Sequence, residues 1–263
     1  MKILIKLGGT LIDESSIRAN LASQIAAVRG AGHQVVVVHG GGRQMTRFLE
    51  ERGIPSNFVN GLRVTTPATL DAVLKVLAGS VNQELVASLM GAGTLAVGLS
   101  GIDAGMVRAE QMDPELGAVG RVTSARSALL DLLTQAGYLP VVACVAGDGA
   151  GQLFNINADQ MAVACAAAFR AERLLFLTDV PGVLDSEGAV ISRLTPESIR
   201  ALIDSGVARG GMHAKLTAAA QALHDGVGSI HILPGSAPSV IARLLDGEHL
   251  GTTVGRALNR VTA

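Results

Sequence analysis

Lysine is scarce in this chain, and its placement is the first indication of chemistry. The sequence has 21 basic residues besides histidine, and only four of them are lysine: Lys2, Lys6, Lys75 and Lys215. Lys6 and Lys215 lie close to the glycine pairs at residues 8–9 and 210–211. Because arginine is used freely elsewhere, these two lysines indicate a need for a compact ammonium group rather than a planar guanidinium group.

Both lysines occupy places where a cation is unfavourable. Lys6 ends the apolar segment at residues 2–7, which is typical of a buried strand. Its ammonium either extends to solvent or points across the following glycines at a phosphoryl group. Lys215 lies in the first turns of a predicted helix, where the helix dipole disfavours a cation. It is either a solvated helix residue or the partner of an anion bound at that helix end.

The segment at residues 35–42 predicts a strand, a glycine turn and the start of a helix. Four valines and His39 lead into three consecutive glycines, Gly40, Gly41 and Gly42, and apolar residues at helical spacing follow. A glycine turn lets backbone N–H groups approach an anion, although it is also a common tight connection. A second unit of this kind begins the chain. Two adjacent parallel strands would bring both turns to one edge of the sheet, where ligands bind.

Four other polar residues are candidates for a site. Asp159 follows the predicted helix cap Asn157 and is either an ordinary first-turn acid or a partner of both lysines. Arg63 follows an Asn-Gly hairpin turn and is either solvated or able to bind a carboxylate with two parallel bonds. Asn155 has no evident structural role. Asp179 ends a strand before Val-Pro-Gly, which suits a loop beside a nucleotide.

Composition excludes several classes of function. A net charge of −1, one tyrosine and no tryptophan argue against nucleic-acid binding. The apolar run at residues 161–169 is too short to cross a bilayer. Cys144 and Cys165 lie in apolar segments without metal-ligand spacing, so we expect core residues in a reducing compartment. Because residues 1–9 already form a predicted strand and turn, we expect no signal peptide and a cytoplasmic location.

Alternating strands and helices predict an α/β protein. We expect a three-layer α/β/α sandwich with a mainly parallel central sheet. Two lobes share this sheet without a linker: residues 1–170, which bind the acceptor and form the dimer, and residues 171–263, which bind the nucleotide. The pattern also predicts short strands within residues 106–124, one strand at residues 139–145, and a long helical region at residues 67–91. Gly79 and Ser80 are a possible kink in that region.

Six motifs occur in a familiar order. They are Lys-Leu-Gly-Gly at 6–9, His-Gly-Gly-Gly at 39–42, Asn-Gly-Leu-Arg-Val-Thr at 60–65, Asn-Ile-Asn-Ala-Asp at 155–159, Thr-Asp-Val-Pro-Gly at 178–182 and Gly-Gly-Met-His-Ala-Lys at 210–215. Over nearly the whole chain this order resembles the amino-acid kinase family, and most closely its acetylglutamate kinase branch. Two departures are Arg43, where the family often has proline, and His213 with Ala214 in place of Ile-Pro.

The resemblance implies a reaction and a set of site residues. MgATP would phosphorylate the side-chain carboxylate of N-acetyl-L-glutamate to an acyl phosphate in arginine biosynthesis, and no protein ligand to the metal is expected. The implied catalytic residues are Lys6, Lys215, Asp159, Gly9 and Gly41. The implied acceptor-binding residues are Gly41, Gly42, Arg63 and Asn155. The implied nucleotide-binding residues are Gly8, Asp179, Val180, Gly182, Val183, Leu184, Gly210, Gly211 and Met212.

Two alternatives and an assembly follow from the same resemblance. The chain could instead phosphorylate carrier-bound aminoadipate or glutamate in lysine biosynthesis, or act as a catalytically silent sensor. Because the first strand begins at Lys2, we expect no N-terminal helix of the kind that builds arginine-inhibited hexamers. We therefore expect a homodimer that arginine inhibits little. Its interface would use the helical region 67–91 through Leu70, Val73, Leu74 and Leu77, unless all four face the monomer's own sheet.

Overall fold

A computed structural model describes residues 1–255 of the chain. The strands are β1 (Lys2–Leu7), β2 (Gln34–His39), β3 (Phe58–Val59), β4 (Leu62–Arg63), β5 (Ala96–Ser100), β6 (Val107–Gln111), β7 (Val119–Ala125), β8 (Leu139–Ala143), β9 (Val145–Gly147), β10 (Leu153–Ile156), β11 (Arg173–Thr178), β12 (Arg193–Leu194), β13 (Ser229–Pro234) and β14 (Thr252–Val254). The helices are α1 (Gly9–Asp13), α2 (Ser15–Gly30), α3 (Gly42–Glu50), α4 (Pro67–Lys75), α5 (Asn82–Gly91), α6 (Ala128–Gln135), α7 (Ala158–Phe169), α8 (Pro196–Asp204), α9 (Gly210–His224) and α10 (Val240–Leu245).

The central sheet has eight strands in the order β12-β14-β13-β11-β1-β2-β8-β5. Six neighbouring strands, from β13 to β5, are parallel, whereas β14 runs antiparallel to β13. Helices cover both faces, so the predicted α/β class with a mainly parallel sheet is confirmed. Since β1 and β2 are adjacent and parallel, the two glycine turns that follow them lie at the same edge, as the sequence predicts.

Side-chain alternation decides which face of the sheet each residue reaches. In β1, Ile3, Ile5 and Leu7 belong to the core that packs with α2, α4 and α5, whereas Leu4 belongs to the core with α7 and α9. Because successive strand residues point to opposite faces, Lys6 shares the side of Leu4. The same rule places His39, two residues after Val37, on the opposite side. The strand pattern therefore separates a lysine and a histidine that end neighbouring strands.

The structure corrects the single strand predicted at residues 139–145. The chain leaves the large sheet after Ala143 and enters a closed four-stranded barrel with β9, where β6, β7 and β10 are its other members. The uninterrupted apolar sequence carries no sign of this change of partner, because both strands are buried. At the junction, the thiol of Cys144 donates to the carbonyl oxygen of His39 at 3.0 Å. Strand β10 was not predicted either.

The helical region at residues 67–91 contains the predicted irregularity. Helices α4 and α5 are joined by a π-helical segment, Val76–Val81, which includes Gly79 and Ser80. Val73 and Leu77 are buried in the monomer's own core, whereas Leu70 and Leu74 are half-buried. Val73 and Leu77 thus serve the monomer's own core. Among the described residues, no helix combines the length and the apolar character needed to traverse a lipid bilayer.

Candidate functional site

Three helices begin at the carboxyl edge of the sheet without a side-chain cap. They are α1 after Gly8, α3 after Gly41 and α9 after Arg209. The N–H groups in the first turn of a helix have no partner within the helix and carry partial positive charge. An uncapped helix start can therefore bind an anion, and here three of them share one edge.

The two glycine turns are in close backbone contact. A Cβ atom on Gly9 would lie 2.8 Å from the backbone nitrogen of Gly42 and 3.0 Å from that of Gly41, so a side chain at Gly9 would displace the facing turn. Within residues 1–255, the N–H groups of Gly9, Gly41 and Gly42 donate no backbone hydrogen bond. Free donors at such close range are the arrangement that binds phosphoryl oxygens.

The structure brings Lys6, Asp159 and Lys215 into one buried cluster beside these turns. Lys6 Nζ lies 2.8 Å from Asp159 Oδ1, and Lys215 Nζ lies 3.1 Å from Asp159 Oδ2. Each of the three residues is only 8% exposed. Lys215 Nζ also lies 5.0 Å from the centre of the Phe176 ring. The cluster carries two positive charges and one negative charge, so its net charge favours an anion.

The charges in this cluster control one another. Burial alone would raise the pKa of Asp159, but the two ammonium groups outweigh burial and hold that pKa below its ordinary value. Burial and the charge of Lys6 lower the pKa of Lys215, while Asp159 and Asp179 act in the opposite direction. The carboxylate is therefore ionised at neutral pH and compensates two neighbouring ammonium groups that would otherwise repel each other.

Local sequence explains how Asp159 reaches the lysines. The side chain of Asn157 caps α7 by accepting hydrogen bonds from the N–H groups of Asp159 at 2.9 Å and Gln160 at 3.2 Å, which confirms the predicted cap. Asp159 is thereby fixed in the first turn of α7. Because α7 and α9 pack together over the side of β1 that carries Lys6, the helix start places one carboxylate between two lysines.

A second part of the site is a cavity of about 170 Å³ next to the turn at residues 40–42. Arg63 and Asn155 both line it. Arg63 donates to Thr46 Oγ1 at 2.8 Å, to the carbonyl oxygen of Gly42 at 3.1 Å and to Ser56 Oγ. These bonds use both hydrogens of Nη2 and one hydrogen of Nη1. The Nε–H and the other Nη1–H are left for a ligand, and they point in different directions.

Burial and packing fix these two cavity side chains. Burial lowers the pKa of Arg63, and the nearby charge of Glu50 opposes that shift, but a guanidinium group stays protonated. The Cζ atom of Arg63 lies 4.6 Å from the centre of the Phe58 ring. Asn155 Nδ2 donates to Thr65 Oγ1 at 3.1 Å. The cavity thus offers a fixed cation and an amide group, a combination that suits a carboxylate ligand.

The predicted nucleotide residues lie in two segments with different exposure. Asp179, Leu184, Gly210 and Gly211 are exposed, and Val180 and Met212 are half-buried. Gly210 has a φ of 52°, a backbone conformation that favours glycine. Gly182 and Val183, in contrast, are buried. The N–H of Val183 donates to Thr252 Oγ1 at 2.8 Å, so Val183 supports its loop from within.

Sequence reasoning missed the residues that hold the glycine turn and Arg63 from behind. Asn82 is wholly buried and hydrogen-bonds to His39 and to the carbonyl oxygen of Val141. Thr46 and Ser56 bind Arg63, as described above. A signal for Asn82 was present, because it is a polar residue in an apolar helical region, two positions after Ser80. The threonine and the serine are too common in surface positions to be distinguished.

Comparisons with known proteins agree with the motifs. The sequence model of the amino acid kinase family matches residues 1–234. An acetylglutamate kinase of Solibacter usitatus (strain Ellin6076) is 65% identical over 252 residues, which cover 96% of this chain and 98% of that protein. An acetylglutamate kinase of Geobacillus kaustophilus (strain HTA426) is 47% identical over 234 residues, covering 89% and 90%. A crystal structure of a protein from Streptococcus mutans UA159 has a TM-score of 0.83 at 31% identity, covering 97% and 98%.

Proposed function

The chain belongs to the amino acid kinase family, and from this premise we propose that it uses ATP to phosphorylate the side-chain carboxylate of N-acetyl-L-glutamate. Relatives of 65% and 47% identity, matched over nearly their whole length, are named for this activity. The product is an acyl phosphate, and the reaction belongs to arginine biosynthesis. The observation that carries the proposal is the buried cluster of Lys6, Asp159 and Lys215 beside free glycine N–H groups.

The reaction requires positioning and charge stabilisation rather than proton transfer. The attacking carboxylate is already an anion at neutral pH, so no general base is needed. An oxygen of this carboxylate forms a bond to the γ-phosphorus, the bond from the γ-phosphorus to the β,γ-bridging oxygen breaks, and ADP leaves with the electron pair. Lys6 and Lys215 neutralise the charge that shifts during transfer, while Asp159 holds both lysines in place.

The glycine turns and the nucleotide loops have complementary roles. N–H groups of Gly9, Gly41 and Gly42 donate to the oxygens of the transferring phosphoryl group. Gly8, Gly210, Gly211, Met212 and the segment at residues 179–184 bind the rest of the nucleotide, with Gly182 and Val183 supporting that segment from the core.

Mg²⁺ would reach this site together with ATP. Residues 1–255 contain no group of three His, Cys, Asp or Glu side chains able to hold a metal ion, and Asp159 is already bound to two lysines. This composition fits Mg²⁺, which proteins commonly bind through substrate phosphates and one or two carboxylates. The ion would neutralise charge on the phosphate oxygens.

The acceptor occupies the cavity at Arg63 and Asn155. Arg63 binds the α-carboxylate of the acceptor through its positive charge and one of its remaining N–H groups, and Asn155 binds the neighbouring part of the same molecule. The support is the burial of Arg63 and its three internal bonds, which hold the guanidinium group at the cavity wall. The side-chain carboxylate then lies towards the glycine turn at residues 40–42.

The chain's organisation is part of the proposal. The acceptor lobe comprises residues 1–170 and the nucleotide lobe residues 171–263, of which residues 256–263 lie outside the described range. A homodimer forms through the helical region 67–91, where Leu70 is half-buried outside the monomer's core and Leu74 is half-buried at the edge of that core. Two free cysteines, Cys144 and Cys165, are buried in the core, which is consistent with a cytoplasmic, reducing environment.

An acceptor panel tests the proposal. Purified protein with MgATP is incubated separately with N-acetylglutamate, glutamate, aspartate, UMP and a carrier-linked aminoadipate, and ADP release is measured. We expect turnover with N-acetylglutamate, and capture of its acyl phosphate by hydroxylamine as a hydroxamate. Background ATP hydrolysis without an acceptor is the control. The proposed substrate would be contradicted if none of the acceptors raised ADP release above that background. A clear preference for UMP or for the carrier-linked acceptor would also contradict it.

A further inference from the structure

His39 ends β2 on the side of the sheet opposite Lys6 and is completely buried. Its Nδ1 lies 2.8 Å from the carbonyl oxygen of Gly40, and its Nε2 lies 3.0 Å from Asn82 Nδ2. None of the roles proposed above uses this histidine. Its first contact is nevertheless with the glycine turn whose N–H groups face the transferring phosphoryl group.

The hydrogen-bond network determines where the imidazole hydrogen lies. Asn82 Nδ2 donates to the carbonyl oxygen of Val141 at 3.0 Å, and a carbonyl can only accept, so the amide orientation of Asn82 is defined. The other hydrogen of the same amide then points to His39 Nε2, which must accept it. The single hydrogen of a neutral imidazole is therefore on Nδ1, from which it is donated to Gly40. Burial lowers the pKa of His39 to about 4, in agreement with a neutral ring.

This bond fixes a peptide group that would otherwise turn freely. A peptide is planar and trans, so the C=O of Gly40 and the N–H of Gly41 point in opposite directions. Holding the carbonyl at His39 directs the N–H of Gly41 away from the histidine. Glycine imposes little conformational preference of its own on such a peptide. The orientation of this N–H group is thus determined by a side chain.

The helical region behind the turn is shaped around the same contacts. A Cβ atom on Gly41 would lie 2.5 Å from Leu77 Cδ2, and a Cβ on Gly98 would collide with Asn82 Oδ1. Leu77 belongs to the π-helical segment, and Asn82 directly follows it. Such segments are uncommon and occur frequently at functional sites. The irregular turn therefore places Leu77 against the glycine turn and Asn82 against His39, which bonds to that turn.

We propose that His39 and Asn82 are positioning residues, which lock the peptide between Gly40 and Gly41 so that the N–H of Gly41 faces the transferring phosphoryl group. This inference rests on the phosphoryl transfer proposed above. It assigns the pair no direct contact with substrate. Its effect is therefore on kcat, through the orientation of one donor, with little effect on the KM of either substrate.

Two conservative substitutions separate the two nitrogens of the ring. In His39→Asn the amide nitrogen is as many bonds from Cα as Nδ1 is in histidine. It can therefore still donate to the carbonyl oxygen of Gly40, but the hydrogen bond with Asn82 is lost. In His39→Gln the amide reaches the position of Nε2. The hydrogen bond with Asn82 is therefore kept, and the hydrogen bond to the carbonyl oxygen of Gly40 is lost. We expect His39→Gln to lower kcat about 100-fold, the effect of losing one donor to a developing charge, and His39→Asn to lower it less than about tenfold.

Control variants distinguish positioning from folding. His231 is also nearly buried, but it bonds to Ser229 and Thr253 on β13 and β14, away from the turns. His231→Gln should lower the melting temperature and leave kcat unchanged. Equal losses of kcat in His39→Asn and His39→Gln, or a loss in His231→Gln as large as that in His39→Gln, would overturn the inference. If His39→Gln does not fold, Asn82→Ala takes its place and should lower kcat about tenfold by releasing the ring.

A spectroscopic measurement tests the inference without turnover. Nitrogen-15 NMR of the imidazole of His39 in the wild-type protein should show hydrogen on Nδ1 and none on Nε2. A ring with hydrogen on Nε2 would overturn the assignment. Because this experiment needs no substrate, its result stands apart from the acceptor panel. If no acceptor in the panel is phosphorylated but NMR shows the expected tautomer, the proposed function is rejected and the inferred orientation of the glycine turn still holds.

Discussion

The two faces of the sheet support the same edge by different means. On one face, Lys6 meets Asp159 and Lys215 in a cluster of three charges. On the other, His39 meets Asn82 in a neutral pair. All five residues are nearly or completely buried. In the proposed reaction, the charged face lies where charge shifts during phosphoryl transfer, whereas the neutral face fixes the direction of a backbone donor and needs no charge to do so.

This difference has an energetic consequence. A buried charge is costly unless it is paired, and removing one partner typically costs about 3–5 kcal/mol. A neutral buried hydrogen bond contributes about 1 kcal/mol, and leaving its partner unsatisfied costs about 1–3 kcal/mol. The charged cluster must therefore be kept complete for the fold as well as for the reaction. The neutral pair leaves room for substitutions that change geometry and preserve the fold.

The largest expected effect comes from removing one charge of the cluster. Lys6→Met or Lys215→Met keeps most of the apolar stem and leaves one ammonium group paired with Asp159. We expect kcat to fall about 10²–10³-fold in either variant, because each lysine stabilises charge that redistributes in the transition state. The KM for ATP and for the acceptor should change much less. Steady-state kinetics with both substrates varied measures the two effects separately.

A lysine on the same strand provides the control for this prediction. Lys2 is ion-paired with Asp131 at the other end of β1, and Lys2→Met should leave kcat unchanged. Replacement of Lys6 or Lys215 by arginine should not restore activity, because a planar fork does not replace a compact charge. Near-normal kcat in either methionine variant would show that the corresponding lysine serves only to balance Asp159.

A smaller effect is expected where the site holds the acceptor and no charge shifts. Arg63→Ala should raise the KM for the acceptor about 10–100-fold, which corresponds to losing a hydrogen-bonded charge contact, and leave the KM for ATP nearly unchanged. Arg52→Ala is the matched control, because Arg52 also lies over a phenylalanine ring but outside the cavity. An equal rise of both KM values in Arg63→Ala would indicate that Arg63 chiefly supports α3 and the hairpin.

The sequence predicts the charged face better than the neutral face, for a physical reason. Lys6 breaks an apolar strand and Lys215 opposes a helix dipole, so each is conspicuous by itself. Asp159 follows a recognisable cap, and parallel strands then place all three at one edge. His39 and Asn82, in contrast, are 43 positions apart, and either could be an ordinary buried polar residue. Only the packing of α5 against the sheet reveals that they are partners.

The same limit applies to the fold. Alternating elements predict the large sheet, but not the barrel of β6, β7, β9 and β10. The segment after Ala143 stays apolar while it changes from one sheet to the other, since both environments are buried. Periodicity reports burial and secondary structure, whereas the choice between two buried partners depends on contacts that are distant in sequence.

Acid should expose the difference between the two faces without any substitution. Burial lowers the pKa of both His39 and His231 to about 4, from 6.5. Below pH 6.5 the unfolded chain takes up protons that the folded protein does not, so the free energy of unfolding is full above pH 6.5 and falls towards pH 4. The expected slope is about 1.4 kcal/mol per pH unit for each histidine.

The pKa of Asp159 is depressed below 3.8 by Lys6 and Lys215, which outweigh the opposing effect of burial, so the charged cluster loses its contribution only at still lower pH. On acidification, the stability contributed by the neutral pair of His39 and Asn82 should therefore be lost at a higher pH than that of the charged cluster. Urea unfolding at a series of pH values from 7.5 to 4.5 measures the slope, and His231→Asn should reduce it by about 1.4 kcal/mol per pH unit. A free energy of unfolding that stays constant across this range would show that the pKa of neither histidine is lowered in the folded protein. A slope that is the same in His231→Asn would show this for His231 alone.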